Sequence, residues 1–168
     1  RGKRNLTIEG NGATLKATTP GDQNRRHLWI VGGSGITVRN LSIVGVDPTP
    51  GSYDATKAFQ HGVAVSGASA VRLERLNVSN VYGDFVYVGS ASGTWSRDVT
   101  VTGSTFSGAG RQGISITAGQ GVVVDGNTIE KVGRSLFDLE PNVATDGAVD
   151  VTISNNATGI ARNFWLAN

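Results

Sequence analysis

GVVVDGNTI, residues 121–129, holds two short strands and a corner in nine positions. Val122 and Val124 alternate with Val123 and Asp125, so apolar side chains recur every second residue, the period of a strand. Gly126 and Asn127 break the run, and Thr128 and Ile129 begin a second alternation. The same order returns in GITVRNLSI (35–43), AVRLERLNV (70–78), DVTVTGSTF (98–106) and DVTISNNAT (150–158). NLTIEGNGA (5–13) is a looser copy. The anchors Leu6, Ile36, Val71, Val99, Val122 and Val151 are separated by steps of 30, 35, 28, 23 and 29 residues. The shortest step is the bare repeat, and the others carry loops.

A further strand precedes five of these copies and also ends the chain: HLWIV (27–31), GVAVS (62–66), FVYVG (85–89), GISIT (113–117), LFDLE (136–140) and NFWLA (163–167). Three short strands per turn describe a coil, each stacked about 4.8 Å from the next with parallel strands. The expected fold is all-β: a parallel β-helix of about six coils with three short parallel sheets, one domain over residues 1–168. No window keeps a 3.6-residue period, which excludes a helical fold. A β-sandwich does not explain the repeated internal order.

Composition agrees. The 168 residues include 24 Gly and only 4 Pro, a mix suited to short strands and tight turns. Cys is absent, which excludes disulfides, thiol chemistry and Cys-based metal sites. Two His make a His-rich metal site unexpected, and no metal is assigned. The formal charge of +2 permits an acidic partner without demanding one, and nucleic acid is not expected. No apolar run reaches membrane-span length, and none reads as a signal peptide. The chain opens at Arg1 without Met and ends on a strand. Open coil ends expose backbone groups, so the expectation is a module of a longer chain. Further chain or other subunits, a trimer among them, would cover those ends.

The repeated VxVxxN-x-I rung and the opening GNGATL (10–15) resemble the right-handed parallel β-helix proteins, the pectate-lyase-like superfold. The resemblance covers nearly all of residues 5–167. It implies the fold, and it implies polysaccharide lyases, hydrolases, epimerases and viral tail spikes as the range of functions. It also brings in Ca²⁺ as a cofactor, by resemblance only, since no dense acidic cluster demands it. ATDGAVDVTI (144–153) is similar to the NTDG-x-D segment of family-28 polygalacturonases, but it leads into the opposite strand. That family's catalytic roles are therefore not carried over.

Stacking turns equivalent residues into columns. The first strand presents Thr7, Thr37, Arg72, Thr100, Val123 and Thr152, an ordinary exposed pleated surface. The last strand presents Trp29, Ala64, Tyr87, Ser115, Asp138 and Trp165. Exposed aromatics and carboxylates are thus expected on one sheet only, with Phe85 and Leu136 also facing outward. Just ahead of this strand lie Arg26, His61, Asp84, Gln112, Ser135 and Arg162, and one residue earlier Arg111 and Arg134. Long insertions at 16–26, 44–60, 90–98 and 141–150 flank this sheet and form a groove. Sugars dock on such aromatic faces because their C–H faces are apolar and their rims hydroxylated.

The expected site therefore has Asp138, Glu140 and Arg111 as catalytic residues. Trp29, His27, His61, Asp84, Tyr87, Trp95 and Arg134 are its substrate-binding residues. Asp138 and Glu140 have Cα atoms about 6.7 Å apart on a strand, closer to the inverting carboxyl spacing of about 6.5–9.5 Å than to the retaining spacing of about 5–5.5 Å. A lyase would instead use a base at the sugar and a cation on its carboxylate, roles open to Arg111, Arg134, His61, Lys57 or Tyr87. Each residue also has a structural reading, with Arg111 and Arg134 pairing to Asp84, Asp138 or Glu140 and Trp95 pinning its loop. The functional expectation is an extracellular protein that binds a polysaccharide, an acidic one included. Its enzymatic form is a lyase or glycoside hydrolase. The alternative is a non-enzymatic structural or receptor-binding module of a viral tail spike or surface adhesin.

Overall fold

The computed structural model describes the backbone of residues 1–167 and the side chains of residues 1–162. The first column of strands stacks β1 (Arg4–Glu9), β4 (Ser34–Arg39), β7 (Ser69–Glu74), β10 (Ser96–Thr102), β13 (Gly119–Asp125) and β15 (Ala148–Ser154) into a six-stranded sheet. The second column stacks β2 (Thr14–Lys16), β5 (Ser42–Val44), β8 (Asn77–Val81), β11 (Thr105–Ala109), the first half of β14 (Thr128–Leu139) and β16 (Ala157–Thr158). The third column stacks β3 (Leu28–Val31), β6 (Val63–Ser66), β9 (Val86–Gly89), β12 (Ile114–Ile116), the second half of β14 and β17 (Ala161–Ala167). These strand pairs are parallel and in register from coil to coil. Because β14 runs through its corner unbroken, the second and third columns join into one hydrogen-bonded sheet.

The columns match the sequence repeat. Thr7, Thr37, Arg72, Thr100, Val123 and Thr152 are successive Cα partners. Trp29, Ala64, Tyr87, Ser115 and Asp138 are likewise successive partners. At the last coil a shift between Val132 and Ser135 moves the pairing by one residue. Trp165 therefore pairs with Phe137, and Leu166 with Asp138. The expected places of Trp165 in the outer column and Leu166 in the core concern side chains outside the described residues.

Two recurring bends close each coil. The residue ahead of each first-column anchor is left-handed: Asn5, Gly35, Ala70, Asp98, Gly121 and Asp150. The exit from the same strand repeats this at Asn40, Arg75, Gly103, Gly126 and Asn155. Asn, Asp and Gly dominate both sets because they tolerate positive φ, whereas Ala70 and Arg75 carry strain of about 1–2 kcal/mol each.

The next residue explains the Asn of the repeated rung. Ser104 Oγ accepts the backbone N–H of Leu76, Asn127 Oδ1 that of Ser104, and Asn156 Oδ1 that of Asn127. Side chains thus continue the hydrogen-bond ladder around a corner where the strands are interrupted.

The core fills the tube. Val38, Val65, Val71, Leu73, Val88, Val101, Val124 and Ile129 are fully buried, each contributing on the order of 1.5–3 kcal/mol. Of the expected third-column core, Ile30, Val65, Val88 and Ile116 are buried, and Leu139 packs half-buried against it. Phe85 and Leu136, expected outside, are in the core, and Phe85 stacks on Phe106 at 5.4 Å. The reason is the corner. Two consecutive residues turn inward there, Phe85 with Val86 and Leu136 with Phe137, so the strand alternation does not extend back through it.

Candidate functional site

At the corner entering the third column, His61, Asp84, Gln112 and Ser135 occupy one position in successive coils, and all are buried. They form a second side-chain ladder. His61 Nδ1 accepts the Asp84 backbone N–H at 3.0 Å. Asp84 Oδ1 accepts the Gln112 N–H at 3.0 Å, and Gln112 Oε1 accepts the Ser135 N–H at 2.7 Å. Because its Nδ1 is an acceptor, His61 is the neutral tautomer with its proton on Nε2. Burial, reinforced by Arg111 and Arg26, lowers its pKa to about 3. The 3.4 Å approach of His61 Nδ1 to Asp84 Oδ2 is therefore a contact and not an ion pair.

The outward column beside this ladder is polar in its lower half. Ser115 donates to Asp84 Oδ2 at 2.9 Å, and Gln112 Nε2 donates to Asp138 Oδ2 at 2.7 Å. Arg111 lies across both carboxylates. Its Nη1 is 2.9 Å from Asp84 Oδ2, and its Nη2 is 4.0 Å from Asp138 Oδ2. Asp84 is completely buried, and burial lifts its pKa to about 6 despite the opposing pull of Arg111. Asp138 is equally buried, and its pKa is raised first by burial and then by Glu140. Its Oδ1 is a buried oxygen without a hydrogen bond.

This corrects one expectation. The register aims Asp138 outward, but aim is not exposure. Arg111 and Gln112 from the preceding coil lie over it and remove it from water.

Above this layer is a cavity of about 170 Å³ lined by Asn24, Arg26, Phe59, His61, Tyr87, Arg111 and Asn142. Tyr87 stacks face to face on His61 at 4.9 Å, with an interplanar angle of 10°. Its hydroxyl bonds Thr117 Oγ1 and accepts from Asn142 Nδ2, both at 2.9 Å. Phe59 meets His61 edge-on at 6.3 Å. The cavity therefore offers two guanidinium groups and two aromatic rings, and its Arg111 reaches the buried Asp84 and Asp138 carboxylates.

Five of the ten expected site residues meet here: Arg111, Asp84, Asp138, His61 and Tyr87. Glu140 stands half-buried just past β14 and acts electrostatically on Asp138 and Arg111. Trp29 is 45% exposed on the N-terminal coil, where Arg26 and Arg1 lie over its ring at 4.7 and 5.7 Å. His27 lines a neighbouring cavity. Trp95 ties its own loop to the 141–147 segment, its indole N–H donating to Thr145 O at 3.0 Å. Arg134 sits over the Tyr53 ring at 5.3 Å and pairs with no carboxylate among the described residues.

The sequence reading missed the roles of Gln112, Ser115, Asn142 and Phe59. Gln112 shares the column of Asp84 and His61, which was the available signal. Phe59 comes from a long insertion that has no repeat to place it. Among the described residues no group of three or more His, Cys, Asp or Glu is arranged to hold a metal ion. No helix among the described residues is long and apolar enough to cross a membrane.

Comparison with known proteins gives a family and no individual relative. The family profile described as the right-handed β-helix region matches residues 2–157. No curated protein and no solved structure matches the chain. A parallel solenoid of six coils with that profile across more than nine-tenths of its length has one assignment: the chain belongs to the right-handed β-helix family.

Proposed function

We propose that the cavity beneath Asn24, Phe59 and Asn142 is part of a groove that binds an acidic polysaccharide outside the cell. One observation carries this reading. The corner ladder needs only hydrogen-bond acceptors, yet here it uses His61 and Asp84 and brings Arg111 over them to face a cavity. Arg26 and Arg111 supply cations for sugar acid groups. The neutral His61 supplies a donor at Nε2, and Phe59 and Tyr87 supply flat surfaces for sugar C–H faces.

In the cleaving form of this proposal, Arg111 neutralises a uronate beside the scissile bond, as lyase chemistry requires. Asp138 and Asp84 are the carboxylates behind it, and Glu140 acts electrostatically on Arg111 and Asp138. Hydrolysis needs a carboxyl to reach the glycosidic oxygen, and so needs Arg111 to swing off the pair. A non-enzymatic recognition module is the second reading. It is favoured by the way Arg111, Gln112 and Ser115 already engage both carboxylates.

The test is a panel of acidic and neutral polysaccharides, read by affinity electrophoresis and assayed for unsaturated uronates and new reducing ends. Retardation by acidic members, weakened at least tenfold in Arg111→Ala, is the expected result. No retardation by any member, with no products, sinks the proposal. Products without unsaturation assign hydrolysis, and rate loss in Asp138→Asn but not in Asp125→Asn ties it to this face.

A further inference from the structure

Five buried side-chain nitrogen or oxygen atoms among the described residues make no hydrogen bond, and three belong to consecutive residues: Arg25 Nε, Arg26 Nε and His27 Nε2. Buried polar atoms are ordinarily satisfied, so such a cluster asks for a partner. These three residues line a cavity of about 250 Å³ together with Leu15, Lys16 and Ala17. A water occupies about 30 Å³ of liquid, so this space admits a small anion with part of its hydration.

The wall is built and not loose. Gln60, fully buried, donates from Nε2 to the carbonyls of Pro20 and Asp22 and fixes the 17–26 loop against the next coil. Arg25 is held by Thr19 O at 2.7 Å and Gln60 Oε1 at 3.3 Å. Arg26 is held by Asn24 O at 2.7 Å and by the Trp29 ring. Both guanidinium groups thus keep their Nε–H unspent.

His27 is the odd member. Its Nδ1 lies 2.9 Å from the His61 carbonyl, which can only accept, so Nδ1 carries the hydrogen and the neutral ring presents a bare lone pair at Nε2. Burial and the nearby Arg25 hold it in that form. Lys16 on β2 and Arg26 add positive charge along the same cavity, and His61 in the next coil is neutral. A bound anion reverses this balance, because it favours the protonated ring.

We propose that this cavity is an anion site for a sulfate, phosphate or carboxylate group, and that the anion draws a solvent proton onto His27 Nε2. Lys16, Arg25 and Arg26 provide the charge, and the protonated imidazole completes the set of donors. The site shares Arg26 with the groove but does not depend on the groove's ligand. A free inorganic anion and the acid group of a sugar chain have the same chemistry here.

The experiment titrates inorganic sulfate, and separately phosphate, into the whole protein. Calorimetry at about pH 5.5 and 7.5, in two buffers of different ionisation enthalpy, counts protons, and the His27 ring nitrogen shifts are followed by NMR. Saturable binding with uptake of close to one proton is expected, weakening by about tenfold per pH unit where the proton must be gained. His27→Gln should flatten that pH dependence. Lys16→Ala should weaken binding severalfold and keep it. A uronic acid oligosaccharide that displaces sulfate identifies a sugar acid as the source, and one that does not identifies a free anion. No saturable binding of either ion overturns the proposal. So does pH-independent binding that leaves the His27 shifts of the unmutated protein unmoved.

Discussion

Two corners of each coil face the same problem and answer it with different residues. Between the first and second columns, Ser104, Asn127 and Asn156 accept backbone N–H groups from the coil before. Between the second and third, His61, Asp84 and Gln112 accept them from the coil after. The first ladder uses only hydroxyl and amide groups. The second buries an imidazole and a carboxylate, which costs desolvation, and needs Arg111 to offset it. Because uncharged groups do this job at one corner, ionisable groups at the other exceed what folding requires. That excess lies under a cavity lined by His61 and Arg111, whereas the cavity that the first ladder touches, at Asn156, is lined by no ionisable side chain.

Exchanging the chemistry of the corners tests this difference. Asn127→Asp should have the largest effect. Asn127 Nδ2 donates to the carbonyls of Val101 and Asp125, so a carboxylate there would face oxygens with no arginine beside it. Stability should fall by about 3–5 kcal/mol in urea unfolding at neutral pH. The loss should shrink as pH falls and the new carboxyl takes a proton. An Asn127→Asp protein as stable as the parent would remove the distinction between the corners.

Asp84→Ala should cost about 3 kcal/mol, because it strands Arg111, the Gln112 N–H and Ser115 together. Asp84→Asn retains the acceptor and should cost about 1 kcal/mol. The gap between the two measures the ladder, and any loss of polysaccharide binding in Asp84→Asn measures the charge.

The pH dependence sharpens the comparison further. Asp84 titrates near 6 when folded and near 3.9 when unfolded, so the folded protein holds more protons between those values. Its contribution therefore falls as pH rises from about 4 to 6. His61 titrates near 3 when folded and about 6.5 when unfolded, so its contribution is present above that range and is lost as pH falls through it. The slopes oppose each other at up to about 1.4 kcal/mol per pH unit each, so the summed contribution of these two groups should be nearly flat from pH 4 to 6. His61→Gln, which keeps an acceptor as Gln112 does, should unmask a decline with rising pH. Asp84→Asn should unmask a rise. Parallel profiles in all three proteins would dismiss the assignment.

The smallest effect belongs to the first sheet. Thr100→Ala, on the half-exposed outer face of β10, should change stability by less than about 0.5 kcal/mol and leave polysaccharide binding unaltered.

The coil and its register were legible because stacked parallel strands force a repeat. Val71, Val99 and Val122 had to recur at one position, and they do. Exposure was less legible. Thr100 and Asp138 both point away from the core by alternation. Thr100 meets solvent, while Asp138 is covered by Arg111 and Gln112, residues 26 or more positions earlier that no local pattern connects to it. Phe85 was misplaced for a related reason, since period-two reading fails where a corner turns two neighbours inward. Asp84, His61 and Tyr87 were found because the column made them neighbours. Phe59 and Asn142 were missed because insertions have no column.

The left-handed residue at the head of each first-column strand bears on how such a chain changes length. Asp98 and Gly121 share one backbone conformation, and Arg97 and Gln120 pair across coils. Excising residues 98–120 would therefore join ends already matched in phase and direction, leaving a shorter tube with its bends preserved. The lost coil would be the one that carries Arg111, Gln112 and Ser115. Duplication at the same joint would add a coil without disturbing those on either side. The joint lets the solenoid be edited by whole turns, so its length changes in units of one coil and the groove residues go with the coil that carries them.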